Sequence, residues 1–141
     1  MKLESTRIGI IGLGYVGLPL AIEFSKKFPV VGFDINKQRI LDLENGQDLT
    51  NEVETQNLTN SKNIQFTCET NFLKDCNFYI ITVPTPIDEN KRPNLQPLLM
   101  ASKTIGSLLQ EGDVVVYEST VYPGATEEDC IPILEELSRL E

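Results

Sequence analysis

The sequence predicts an α/β fold: a doubly wound parallel sheet of about five strands with helices on both faces, three layers in all. Three observations lead there. Short β-branched runs alternate with stretches of helical apolar spacing, a glycine-rich turn follows the first run, and no repeat or low-complexity linker interrupts the alternation. The chain has 141 residues. A chain of that size buries roughly 70% of its unfolded surface in a single core, so residues 1–141 are read as one domain.

The first strand is read over residues 8–11, Ile-Gly-Ile-Ile, a run suited to burial on both faces. The uncharged stretch 8–22, preceded by Lys2 and Arg7, superficially resembles a signal peptide or a membrane span. Gly9, Gly12, Gly14, Gly17 and Pro19 interrupt it, it is shorter than the roughly 20 residues a span needs, and no small-residue cleavage site follows. A buried strand and turn explain it better.

Val16, Leu20, Phe24 and Phe28 recur every fourth position with Ala21 beside them, which predicts a helix with that stripe inward. Pro19 falls in its first turn, where a missing N–H costs little. The second strand is read over 30–33. Residues 46–63 are polar and Asn/Thr-rich, with only Leu49, Val53 and Leu58 to pack, and predict a loop with one short helix. The third strand is read over 64–67 and the fourth over 79–83. Leu98, Ala101, Ile105 and Leu108 then form a helical stripe that stops at Gly112, before a fifth strand over 114–117. A sheet of this kind usually continues to a sixth strand. Here Glu141 falls where the last helix should finish, which leaves a minimal variant of the fold or, the preferred reading, an N-terminal fragment of something longer.

Composition narrows the chemistry. With no His, the chain has no His-centred acid/base catalysis, no Ser-His-Asp triad and no His-based metal site. Twelve Lys and Arg against 21 Asp and Glu give a net charge of −9. That balance argues against nucleic acid or an anionic membrane surface as partner, since both demand clustered cations. From Thr126 onward there are six acidic residues and only Arg139, read as a solvated helix face. Cys68, Cys76 and Cys130 form no CxxC pair and no metal-ligand spacing, and an odd number makes a poor disulfide framework. The cysteines are read as buried structural thiols in a reducing cytoplasm, with no metal site.

Gly12-Leu13-Gly14-Tyr15-Val16-Gly17 carries the first chemistry. This GxGxxG follows an apolar strand, opens an amphipathic helix, and precedes Asp34 at the end of the next strand. Gly12 permits a tight turn, Gly14 lets a pyrophosphate approach the backbone, and Gly17 lets the helix pack on the strand. The pyrophosphate then rests on free N–H groups at the positive end of that helix. Asp34 lies 22 residues after Gly12, where its carboxylate accepts hydrogen bonds from the adenosine ribose hydroxyls. A 2′-phosphate there would face a like charge, which favours NAD over NADP, although Arg39 nearby moderates this. Two other readings stand beside it: glycines that merely turn, with Asp34 capping the helix at Lys37, and a methyl-donor-binding transferase. The second usually carries an acidic residue two positions before the first motif glycine, where this chain has Ile10.

Two further constellations fall at strand ends, where ligands of open α/β sheets bind. Val83-Pro84-Thr85-Pro86 ends the fourth strand, its prolines stiffening a loop that holds Thr85 toward the crevice. Tyr117-Glu118-Ser119-Thr120-Val121-Tyr122-Pro123-Gly124 ends the fifth, and hydroxyls at Ser119 and Thr120 there meet a nicotinamide ribose or position a water. Taken alone, each stretch reads as a structural loop; together on the rim of the glycine turn they point to function.

In combination and in order these motifs resemble the UDP-glucose/GDP-mannose 6-dehydrogenase family, specifically its N-terminal Rossmann-like dinucleotide-binding domain. The resemblance rests on residues 12–21, on Asp34 with Arg39, on residues 83–86, and on Glu118-Ser119-Thr120 followed by Pro123-Gly124-Ala125-Thr126-Glu127-Glu128. It covers essentially the whole chain. Residues 117–130 look most like the branch acting on UDP-N-acetylhexosamines for surface polysaccharides such as capsule.

The resemblance implies a four-electron oxidation of a nucleotide sugar at C6, from alcohol to carboxylate, with two NAD used in succession. A Cys thiolate in that mechanism captures the aldehyde as a thiohemiacetal, and water later hydrolyses a thioester. Carried over by motif, Gly12, Gly14, Tyr15, Val16 and Gly17 meet the pyrophosphate, and Asp34 and Arg39 the adenosine end. Val83, Pro84, Thr85, Ser119 and Thr120 meet the inner cofactor, and Thr120 also holds a water. The family's nucleophilic Cys lies in a Gly-rich loop beyond this length, and none of the three cysteines stands in for it by motif. The resemblance therefore implies a cofactor-binding piece, inactive alone, without the central helix that supplies most dimer contacts and without the UDP-sugar-binding domain. Its rivals are a stand-alone NAD-binding sensor or regulatory module and a purely structural domain with a degenerate site.

Overall fold

The computed structural model describes residues 2–141. Five strands, β1 (Ile8–Ile11), β2 (Val30–Phe33), β3 (Ile64–Thr67), β4 (Phe78–Ile81) and β5 (Val114–Tyr117), form one parallel sheet in the order β3-β2-β1-β4-β5. The chain winds from β1 outward to β3, then returns to the other side of β1 for β4 and β5. Such a reversal opens a crevice at the carboxyl ends of the two strands flanking it, here β1 and β4. Register brings those ends level. Ile11 pairs with Phe33 and Ile81, and Ile81 with Tyr117, so four loops leave the sheet on one rim.

Strand side chains alternate between faces and divide into two cores. Ile8, Ile10, Val30 and Ile80 pack with Leu18, Ala21 and Ile22 of α1 (Gly17–Ser25), Ile40 and Leu43 of α2 (Lys37–Glu44), and Leu58 of α3 (Thr55–Asn60). Ile11, Phe33, Tyr79 and Ile81 pack on the other side with Leu98, Ala101 and Ile105 of α4 (Gln96–Gly106), Leu134 of α5 (Ile131–Ser138) and Leu73. Each fully buried Leu or Ile contributes about 1.5–3 kcal/mol, which is how strands of only four residues are held. Tyr79 is fully buried and its hydroxyl meets the carbonyls of Leu73 and Cys76, so the phenol carries no unmet polar group.

Four of the five predicted strands occupy the residues expected. The fourth begins one residue earlier and stops at Ile81 rather than Val83. Thr82 still donates its N–H to Ile11, but its hydroxyl turns onto the first loop, and Pro84 has no N–H with which to extend the ladder. The first helix buries Leu18, Ala21, Ile22 and Ser25; of the predicted face, Ala21 is fully buried and Phe24 and Phe28 pack half-buried against the same core. Val16 precedes the helix and is half exposed, Leu20 and Phe24 flank the buried face, and Phe28 lies past the end. The reason is length: the helix runs only from Gly17 to Ser25, so Val16 and Phe28 lie outside it, and Leu18, Ala21 and Ile22 supply its buried face. Likewise α4 closes at Gly106, leaving Leu108 outside it, and Gly112, at φ +92, shapes the turn into β5. In residues 46–63 the one short helix is present as α3, with Leu58 buried, but Leu49 is 71% exposed.

All three cysteines are free, with Cys76 and Cys130 buried and Cys68 half-buried against the core. Burial, with help from the Asp75 carboxylate, pushes the Cys76 thiol up to about 11, and burial raises Cys130 as well, so neither is a ready thiolate. On α5, Leu134 is buried, whereas Leu137 is exposed. The acidic tail is a solvated face: Glu127, Glu128, Glu135, Glu136 and Glu141 are exposed, and Asp129 accepts the Tyr122 hydroxyl at 2.6 Å. Among the described residues no helix is long and apolar enough to cross a membrane.

Candidate functional site

The site grows from the turn that follows β1. Gly12 takes φ +102, a conformation open to glycine and strained for other residues, and its N–H is held by the Phe33 carbonyl at 2.8 Å. Gly17 must also lack a side chain. A Cβ there would lie 1.7 Å from the Gly12 carbonyl oxygen and 2.4 Å from the Thr82 hydroxyl. Gly14 differs, since a Cβ on it would meet nothing within 4 Å. The space beside Gly14 is open, and the N–H groups of residues 14–17 find no acceptor among the described residues. A helix N-terminus with unpaired donors facing open space fits a pyrophosphate by charge and by hydrogen bonding. Tyr15 and Val16, both exposed, border that space.

Asp34 ends β2 and reaches back to the turn. Its Oδ2 accepts the Leu13 N–H and its Oδ1 the Asn36 N–H, each at 2.9 Å. The carboxylate is thereby oriented by two backbone donors, and its remaining lone pairs suit two ribose hydroxyls. It does not cap the following helix; the Asn36 side chain does, accepting from Gln38 and Arg39. The alternative that makes Asp34 the cap is therefore set aside.

Arg39 lies on the other side of the same residue. Its Nε donates to the Leu13 carbonyl at 2.8 Å and its Nη1 to Asp48 Oδ1 at 2.8 Å, with the side chain 10% exposed. Leu13 is thus clamped through its N–H by Asp34 and through its carbonyl by Arg39. Asp48, 1% exposed, also accepts from the Thr50 N–H and hydroxyl and from the N–H groups of Glu52 and Val53. Burial opposes its charge. The hydrogen bonds from Thr50, Arg39 and Val53 outweigh that and pull its carboxyl down to about 2.

On the other half of the rim, the loops after β4 and β5 are tied to each other. Ser119 Oγ donates to the Val83 carbonyl at 2.7 Å and Thr85 Oγ1 to the Thr120 carbonyl at 2.6 Å. Both hydroxyls spend their proton on a carbonyl and keep lone pairs, so they remain able to accept from a ligand. Pro84 and the Thr120 side chain are exposed at the same edge. Thr82 joins the two halves, donating its hydroxyl to the Gly12 carbonyl at 2.7 Å.

The fold therefore brings the glycine turn, Asp34, Arg39 and the loops after β4 and β5 to one rim. Sequence reasoning missed Thr82 and Asp48. A threonine closing the run Tyr79-Ile80-Ile81 was a signal for the first, as an isolated hydroxyl where the apolar pattern continues. Asp48-Leu49-Thr50 has the look of an Asx turn, which the structure makes, but its ionic partner lies in another element. Among the described residues no group of His, Cys, Asp or Glu is gathered as a metal site would require.

Comparison with known proteins agrees with this geometry. The sequence profile described as the UDP-glucose/GDP-mannose dehydrogenase family, NAD binding domain, matches residues 6–141. A UDP-N-acetyl-D-glucosamine 6-dehydrogenase of Salmonella typhi is 57% identical over 136 residues, covering 96% of this chain and 32% of that protein. Protein CapL of Staphylococcus aureus is 54% identical over 94% of this chain and 31% of its own length. Among solved structures, the UDP-D-ManNAc dehydrogenase of Pyrococcus horikoshii superimposes with a TM-score of 0.87 at 33% identity, over 96% of this chain and 33% of that one. The chain spans about a third of the length of the curated relatives it matches.

Proposed function

The chain belongs to the UDP-glucose/GDP-mannose dehydrogenase family as its NAD-binding domain, and from that premise we propose that it holds NAD for the oxidation of a UDP-N-acetylhexosamine at C6, in a polypeptide that also supplies a sugar-binding domain and a nucleophilic Cys. The rim carries this reading: an open helix N-terminus at Gly14, an oriented carboxylate at Asp34, and two interlocked hydroxyl-bearing loops lie side by side at the point where the sheet reverses.

In this reading the N–H groups of Gly14, Tyr15, Val16 and Gly17 bind the pyrophosphate, and Gly12 shapes the turn beneath it. Asp34 takes the adenosine ribose and Arg39 supports that end. Val83, Pro84, Thr85, Ser119 and Thr120 form the wall for the nicotinamide half, and the free hydroxyl of Thr120 orients a water. NAD, when bound, supplies a hydride acceptor, and the protein's task is to fix which carbon faces it. The branch follows from the high identity to relatives named for UDP-N-acetylated sugars. A cytoplasmic, homo-oligomeric enzyme of polysaccharide biosynthesis, acting on a UDP-sugar without a nucleic-acid or membrane partner, completes the proposal.

Calorimetric titration of this chain with NAD, ADP-ribose, NADP and S-adenosylmethionine tests the cofactor half. Saturable binding of NAD and ADP-ribose, with NADP weaker and S-adenosylmethionine absent, is expected. A folded chain that binds S-adenosylmethionine and not NAD would overturn it.

A further inference from the structure

We propose that Asp48 is a specificity-determining residue for the dinucleotide: by tethering and neutralising Arg39, it withholds from the adenosine end the guanidinium that a 2′-phosphate needs, and so enforces NAD over NADP. The proposal rests on reading the rim as an NAD site.

Three observations carry it. Arg39 and Asp34 grip the same residue from opposite sides, so the guanidinium stands beside the carboxylate assigned to the ribose. Arg39 is not saturated: Nε is used by the Leu13 carbonyl and Nη1 by Asp48, while Nη2 is buried with no partner among the described residues. A planar guanidinium directs one Nη2 N–H parallel to that of Nε, hence toward the glycine turn. A forked donor suited to phosphate is therefore present at this end of the rim and held down.

What holds it is Asp48 rather than packing alone. Four further hydrogen bonds, from Thr50 N–H, Thr50 hydroxyl, Glu52 N–H and Val53 N–H, fix that carboxylate in place. A buried carboxylate at 2.8 Å cancels the Arg39 charge where Asp34 already repels a phosphate. With Asp48 uncharged, a buried and unpaired Arg39 is costly, and the side chain gains by turning out to solvent, where a 2′-phosphate is its natural partner. Lys37, the other cation of this helix, is exposed and offers a hydrated point charge without a fork.

The experiment measures the ratio of NAD to NADP affinity by calorimetry on this chain and its variants, with melting temperature as the check on folding. Asp48→Asn is expected to lower the ratio by about tenfold or more, through stronger NADP binding together with a modest loss for NAD. In Arg39→Gln/Asp48→Asn that gain for NADP disappears, whereas in Lys37→Gln/Asp48→Asn it persists. Arg39→Lys leaves Asp48 its four loop donors and serves where Asp48→Asn folds poorly. Without a fork it cannot hold Leu13 and Asp48 together, and the ratio falls by about threefold. A folded Asp48→Asn or Arg39→Lys that binds NAD with the parental ratio would overturn the role of Asp48, because a merely structural residue weakens both dinucleotides alike. A parent chain that binds no NAD overturns the cofactor reading itself and this inference with it.

Discussion

The two halves of the rim are built by different physics. Around Leu13 the structure is buried and ionic: two charged side chains clamp one residue, and a third charge, Asp48, anchors the clamp from within a hydrogen-bonded loop. Around Val83 and Thr120 it is partly exposed and neutral, with two hydroxyls bonded to two carbonyls across the gap between β4 and β5. Buried, charge-assisted contacts resist displacement, whereas exposed neutral hydrogen bonds contribute only about 0.5–1.5 kcal/mol each and exchange readily with water or ligand. On the proposed reading, the rim pairs a rigid adenosine end with an adjustable nicotinamide end. That is the division expected of a site that keeps the cofactor's handle fixed while its reactive end meets a second substrate.

The sharpest way to break the comparison is at the joint between the halves. Gly17→Ala places a Cβ on the Gly12 carbonyl and the Thr82 hydroxyl at once, neither of which has room to yield. We expect a loss of about 3 kcal/mol in stability by urea unfolding, and loss of dinucleotide binding in whatever remains folded. Parental stability in this variant would mean that the turn is far softer than its packing implies.

Next in size is Asp34→Ala, which removes the proposed charged acceptor of the ribose and one side of the Leu13 clamp. NAD binding should weaken by about 1–3 kcal/mol in calorimetric titration. Equal affinity in mutant and parent would remove Asp34 from the site.

The adjustable half should respond less. Ser119→Ala and Thr85→Val each cut one tie between the loops, and each is expected to lower stability by about 1 kcal/mol in urea. Because the two ties join the same pair of loops, the double variant should cost less than the two single effects added, a coupling that a double-mutant cycle reads directly. Strict additivity would show that the loops are held independently.

The smallest effect belongs to acid. The Asp48 carboxyl, held at about 2 when folded, binds fewer protons in the native chain than in the unfolded one, where it titrates near 4. Its contribution is therefore fully present above pH about 4 and is lost as the pH falls toward 2, amounting to roughly 1 kcal/mol after allowance for solvent screening. Urea midpoints across that window, compared between parent and Asp48→Asn, isolate it: the parent should lose the extra stability and the variant should not.

Much of the fold was legible in the residues because its signals are local. A run such as Ile8-Gly9-Ile10-Ile11, short, β-branched and closed by a glycine turn, favours a buried strand, and Gly12, Gly14 and Gly17 at their spacing mark a turn into a helix. The errors are errors of length and of ending. Val16, Leu20, Phe24 and Phe28 share a row on an ideal helix, but the helix spans only Gly17 to Ser25, so Val16 and Phe28 fall outside it and Leu18 and Ile22 join Ala21 as its buried face. Strand β4 ended early because Thr82 found a carbonyl from another strand's loop.

The sequence by itself determined the alternation of strands and helices, the glycine turn, the acidic residue at the end of β2, and the absence of histidine chemistry. Each depends on residue identity over a short span, where backbone sterics and side-chain period act without help from distant segments. Only the tertiary structure decided what those residues touch: that Asp34 turns inward to Leu13, that Arg39 is spent on a carbonyl and on Asp48, and that Ser119 and Thr85 cross between loops. These pairings join positions up to 36 residues apart. The order of strands in the sheet brings them together, and no local pattern encodes a partner that arrives from another strand.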